Sequence, residues 1–300
     1  MMMSKSSAAG LRGRPWPGRA GRSPAREILR RLGHSRSALV GGALLLAIAL
    51  AVILAPALSP YNPIKANQRS PLDPPSAAHL MGTDRFGRDI LSRILWGGRL
   101  SMSVGVVAVG IAACSGVVLG LVSGYYGRRT DVVIMRLVDL LLAFPGILLA
   151  LAIVATLGAT LPNLMIAVGI SAIPEYVRVA RGTVLSLKER EFVLAARVVG
   201  CSDQTIIFRH ILPNITAPLT VLATLGIAAA IITGSALSFL GLGIRPPTPE
   251  WGNMLAEGRE FLRHAWWVAF FPGLAIMLAV LSINLLGDGL RDAFDPRLRP

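Results

Sequence analysis

The sequence predicts an all-α integral membrane protein that crosses the bilayer with six helices. Hydrophobic residues make up 53% of the chain against 15% charged, and the mean hydropathy is +0.62, whereas soluble domains carry about a quarter charged residues. The apolar residues are also gathered into blocks. Stretches 38–58, 102–122 and 221–232 hold no charged side chain, and the first two reach the roughly 20 residues that a helix needs to cross about 30 Å of hydrocarbon. Finally, the densest basic run lies directly before the first block, where Lys and Arg flank a span on its cytoplasmic side.

Each span follows from this pattern. Residues 1–37 are rich in Arg, Gly, Pro and Ser and read as a basic, disordered cytoplasmic tail. The first span, 38–58, is followed by an Ala55/Ala57 pattern resembling a cleavage site, but its apolar run exceeds that of a signal peptide, so it is expected to stay attached. Domain 38–99 joins this span to an extracytoplasmic segment. There Phe86, Ile90, Leu91, Ile94 and Leu95 recur at helical spacing behind Thr83, predicting an amphipathic helix capped by Thr83 at the interface. The domain 100–288 holds the other five spans, near 100–123, 134–157, 161–177, 218–240 and 266–286. The span 134–157 carries Arg136 and Asp139 at i, i+3 spacing, which suits a mutual ion pair, and is interrupted by Pro145-Gly146. Pro174 and Pro218 mark other span ends. Residues 289–300 form a second cytoplasmic tail. With both termini inside, most basic residues fall on the cytoplasmic face, the orientation the positive-inside rule selects.

The net charge of +14 raises nucleic acid as a partner. The basic residues are spread along the chain, and no nucleic-acid module accompanies them, so the expected partner is the lipid bilayer. Two cysteines, Cys114 and Cys201, give no disulfide framework or metal site. No catalytic, cofactor or metal residues are expected. The lysines are Lys5, Lys65 and Lys188, none following Gly, so no phosphate-binding loop exists, and neither H-E-x-x-H nor G-x-S-x-G occurs. A membrane-embedded enzyme would need paired polar groups within the spans, which offer Arg136, Asp139, Glu175 and Asn284 without His. A solitary secondary transporter would need an inverted internal repeat. Neither pattern is present, and the chain reads as no enzyme.

The longest polar stretch between spans, 178–214, reads as two short helices broken at Gly200, a residue suited to positive φ, with Ser202 or Asp203 capping the second. Ala195 and Ala196 give the first helix a small-sided face. This stretch resembles the cytoplasmic signature of binding-protein-dependent ABC importer permeases: Glu-Ala-Ala, three residues, Gly, nine residues, Ile-x-Leu-Pro. Ala195, Ala196, Gly200, Leu212 and Pro213 keep the spacing, while Leu194 stands at the Glu position and His210 at the first Ile. Further stretches resemble the C-type subunit of the dipeptide and oligopeptide group: Gly82-Thr83-Asp84, Gly87-Arg88-Asp89, 238–243, 246–252 and 284–292.

The resemblance implies six transmembrane helices of the type-I ABC importer permease kind and a subunit importing dipeptides or oligopeptides. It also implies a second homologous permease, two cytoplasmic ATPase subunits that use the ATP, and an extracytoplasmic solute-binding protein, in a bacterial inner membrane. Glu191, Ala195, Ala196, Gly200, Asp203, Leu212 and Pro213 are then the expected ATPase-coupling residues. Pro246, Pro247, Pro249, Glu250 and Trp251 form the expected receptor-facing loop, Trp251 offering a rigid apolar contact. Related permeases serve glutathione or nickel complexes, and the motifs point both ways: 264–267 with 271–273 look dipeptide-type, 143–149 with 171–174 glutathione-type.

Overall fold

A computed structural model describes residues 32–33 and 35–294; most of the basic tail and the end of the C-terminal tail lie outside them. Nine helices organise the described chain: α1 Arg36–Ile53, α2 Ile90–Tyr126, α3 Arg128–Leu142, α4 Gly146–Leu157, α5 Leu161–Leu187, α6 Glu191–Val198, α7 Leu212–Leu237, α8 Trp251–Gly258 and α9 Trp267–Phe294, with shorter turns between. Five helical stretches are long and apolar enough to cross a membrane. A sixth span results if α3 and α4, bent by 86° at their break, count as one. The break falls at Pro145-Gly146. Pro145 lacks an N–H, so the ladder cannot continue through it.

The expected helix from Thr83 starts instead at Ile90 and runs without interruption into the second span. Gly82 and Gly87 both take positive φ, which holds 82–89 in turns. The cap is Asp89, whose carboxylate accepts from the Ser92 N–H at 2.8 Å and from its hydroxyl at 2.6 Å. Thr83 serves the loop, donating to the Ser70 carbonyl at 2.6 Å. At 37 residues and 1.5 Å each, α2 is about 55 Å long, so part of it projects beyond the hydrocarbon. Pro174 and Pro218 lie inside α5 and α7, whose helical backbone continues through both.

The core is the α2–α5 contact. Gly120 and Gly124 of α2 lie one turn apart against Ala180 and Val184 of α5, and a Cβ built on Gly120 would stand 2.6 Å from that of Ala180. Small residues at four-residue spacing let helices approach closely in lipid, where dispersion replaces the hydrophobic effect. Ala150 and Val154 of α4, Val193 and Ala196 of α6, and Ile215 and Leu219 of α7 pack around this axis. Helix α9 closes the bundle with α1 on its outer side, where Gly41 admits Leu285. Replacing Gly120 with Val is expected to cost about 1 to 3 kcal/mol through overpacking, lowering the midpoint of thermal unfolding in detergent. Gly110, on the same helix with nothing within 4 Å of its Cβ position, is expected to tolerate Val; equal behaviour of the two variants would refute the packing role.

Two ion pairs join α3 to α5. Asp131 takes Arg181 at 2.5 Å and the Ser123 hydroxyl. The pair expected between Arg136 and Asp139 does not form, because Asp139 turns to Arg178 of α5 at 3.0 Å. The polar stretch expected from 178 is correspondingly shorter, since α5 continues to Leu187.

Candidate functional site

The segment from Glu191 to Pro213 stands at the end of the bundle where α2 finishes. Helix α6 opens with Glu191 in its first turn, where a carboxylate offsets the positive end of the helix dipole. Its other end closes through Gly200, at φ +86°. The Cys201 N–H returns to the Ala196 carbonyl at 3.0 Å and the Gly200 N–H to that of Arg197 at 3.0 Å. These are the paired bonds of a glycine-terminated helix, which satisfy carbonyls otherwise left open. Ser202 then caps the next helical turn, accepting from the Thr205 N–H at 3.3 Å.

The second of the two expected short helices is instead the beginning of the next span: 203–240 is helical, with a wide turn at Ile206–Ile211 and another from Ser238 that is broken at Gly241, φ +85°. Pro213 explains the first wide turn. It has no N–H to return to the carbonyl one turn earlier, and a widened turn absorbs the fault, while the Asn214 amide donates to the His210 carbonyl at 2.6 Å.

The expected coupling residues divide between two faces. Ala196 is buried, 9% exposed, with Val193 and Ile206 in the core; Leu212 is half-buried and Glu191, Ala195, Gly200, Asp203 and Pro213 are exposed. Ala196 therefore fixes α6 to its own chain and presents nothing outward. Asp203 accepts a hydrogen bond from the Tyr125 hydroxyl at 2.6 Å, and Arg197 lies over the Tyr125 ring at 5.5 Å, tying the segment to the end of α2. The outward face belongs to residues the sequence reading passed over. Val198 and Val199 are 87% and 83% exposed, and Phe192 and Phe208 are exposed with them. Apolar side chains inside a polar stretch are a readable signal in the sequence.

At the opposite end, the loop after α7 meets the segment before α2. Arg88 donates to Asp84 at 2.6 Å and to Glu257 of α8 at 2.9 Å, and Arg93 lies 3.5 Å from each carboxylate, all four groups being largely buried. Trp251 is 1% exposed and donates its indole N–H to the Ile94 carbonyl at 2.9 Å. Glu250 is buried too, accepting from the Gly252 and Asn253 N–H groups and from Ser101. Of the five loop residues expected to face a receptor, Pro246 and Pro247 are exposed, while Pro249, Glu250 and Trp251 support the loop from beneath.

The family model of the binding-protein-dependent transport system inner membrane component matches residues 116–300, over half of the chain. The chain belongs to this family. A second model, the N-terminal transmembrane domain of oligopeptide transport permease C, matches 23–75. The permease is 49% identical over 277 residues to a dipeptide transport system permease protein of Alkalihalophilus pseudofirmus, covering 92% of this chain and 91% of that one. It is 46% identical to a di/tripeptide transport system permease protein of Pseudomonas aeruginosa over 92% and 93%. It is 49% identical to a glutathione transport system permease protein of Salmonella paratyphi A over 93% and 92%. This permease is thus a multi-pass membrane protein with the type-I ABC importer fold, a transport subunit rather than an enzyme.

Proposed function

We propose that the permease imports dipeptides or short oligopeptides. It forms one translocation path with a second homologous permease and is driven by two cytoplasmic ATPases, with solute delivered by an extracytoplasmic binding protein. The observation that carries this reading is the outward exposure of the apolar Val198, Val199 and Phe208 on the segment that turns at Gly200. That segment is signature-like and braced to α2, as a docking element must be to pass force into the bundle. The orientation follows: this end and both termini lie in the cytoplasm, and the loop with Pro246 and Pro247 lies outside, consistent with the distribution of basic residues. The peptide substrate is supported by the relatives, two of which belong to dipeptide and di/tripeptide transport systems and one to a glutathione transport system, glutathione being itself a tripeptide.

The test is reconstitution of all the subunits in vesicles. Labelled dipeptide is expected to accumulate only with ATP and the binding protein present. Accumulation of glutathione and no dipeptide would overturn the assignment to ordinary peptides, and assembly without ATPase would overturn the coupling.

A further inference from the structure

We infer that the Asp139–Arg178 pair lines the translocation path and binds the charged ends of the solute, the peptide carboxylate at Arg178 and its amino group at Asp139. This rests on the peptide reading above. The two side chains meet at 3.0 Å yet remain 54% and 53% exposed, Arg178 on α5, which is long and apolar enough to span, and Asp139 on α3, which makes a span only together with α4. Arg178 lies nine residues before the end of α5, about 14 Å along it, and Asp139 is eleven residues into α3, about 17 Å. Exposed charge on a membrane-spanning segment faces water or a polar partner rather than lipid.

The neighbouring pair is built differently. Asp131 and Arg181 are joined by two short hydrogen bonds and by Ser123, which makes them a staple. Asp139 and Arg178 share one hydrogen bond among the described residues, leaving a carboxylate oxygen and most guanidinium donors open. An exposed pair of this kind is weakly held, so a ligand carrying both charges can replace each partner. Arg136 and Glu175, each one turn away on the same two helices, are exposed as well, so the four charges sum to zero and suit a zwitterion over an ion of either sign.

The experiment uses the complete reconstituted transporter. Asp139→Asn and Arg178→Gln are each expected to lower dipeptide uptake at least tenfold while binding-protein-stimulated ATP hydrolysis stays within twofold. The swap Asp139→Arg with Arg178→Asp keeps the pair but reverses the charges seen by the solute, and uptake should stay low. Cysteine placed at either position, after removal of Cys114 and Cys201, should react with a charged, membrane-impermeant thiol reagent. Wild-type uptake in both single variants, full recovery in the swap, or absence of thiol labelling would each overturn the inference. Failure of the unaltered transporter to carry dipeptide would instead overturn the peptide reading, and the labelling would still report whether the pair lines a water-filled path.

Discussion

Replacing Glu257 with Ala is expected to destabilise the permease by about 3 to 5 kcal/mol, the cost of leaving a buried charge without its partner. Asp84, Arg88, Arg93 and Glu257 form a closed set of two cations and two anions. Glu257 comes from α8, far along the chain, and receives Arg88 at 2.9 Å with Arg93 at 3.5 Å. Without it, Arg88 and Arg93 share the single Asp84 and the set carries net positive charge with little access to water. Arg93 also donates to the carbonyls of Pro63 and Pro247, so its displacement would loosen both loops at this end. The readout is thermal unfolding in detergent. Glu257→Gln, which keeps the volume and one acceptor, should fall between wild type and Ala. Glu260→Ala, at an exposed position of the following turn, should change stability by less than about 0.5 kcal/mol. A Glu257→Ala protein as stable as Glu260→Ala would show that the network contributes nothing.

The spans were legible because length and hydropathy are properties of a single segment, and the break at Pro145-Gly146 because a missing N–H acts locally. The junctions were harder. Thr83 and Asp89 are both acceptable caps by residue type, and what selects Asp89 is the positive φ at Gly82 and Gly87 together with the Ser92 contacts. The partner of Asp139 was misassigned for a related reason: i, i+3 spacing shows which side chains can meet along one helix, while Arg178 approaches from another. Trp251 illustrates the limit at the sites. Beside three prolines in a loop it reads as an exposed anchor, yet its indole is enclosed against α2 because Gly98 leaves room there, a Cβ on Gly98 lying 2.8 Å from the Trp251 ring. The motif at 195–213 marks a segment of the chain but does not say which of its residues face outward; that is set by packing against the bundle, which buries Ala196 and leaves Val198 and Val199 exposed.

That distinction decides how the coupling reading is best tested. Ala196→Arg would force a long cation into the core beside Val193 and Ile206 and damage the permease itself, so its failure would report folding. Val198→Asp and Val199→Asp change side chains that are almost fully exposed in the isolated chain, where surface substitutions usually alter stability by less than about 0.5 kcal/mol. Docked against an ATPase, the same carboxylates would be desolvated without a partner, at roughly 1 to 3 kcal/mol or more each. Because about 1.4 kcal/mol is a factor of ten in affinity, the double variant should insert and unfold like wild type, lose its ATPases during purification, and transport at least tenfold more slowly. Gly200→Val probes the same element through the backbone. Nothing stands within 4 Å of its Cβ position, so its cost is the strain of a β-branched residue at positive φ, about 1 to 3 kcal/mol, relieved by tilting Val198 and Val199 out of register. Gly200→Asn, which tolerates this conformation better, should retain more transport than Gly200→Val. If Val198→Asp with Val199→Asp keeps its ATPases and transports at the wild-type rate, the exposed valines are not part of the coupling surface.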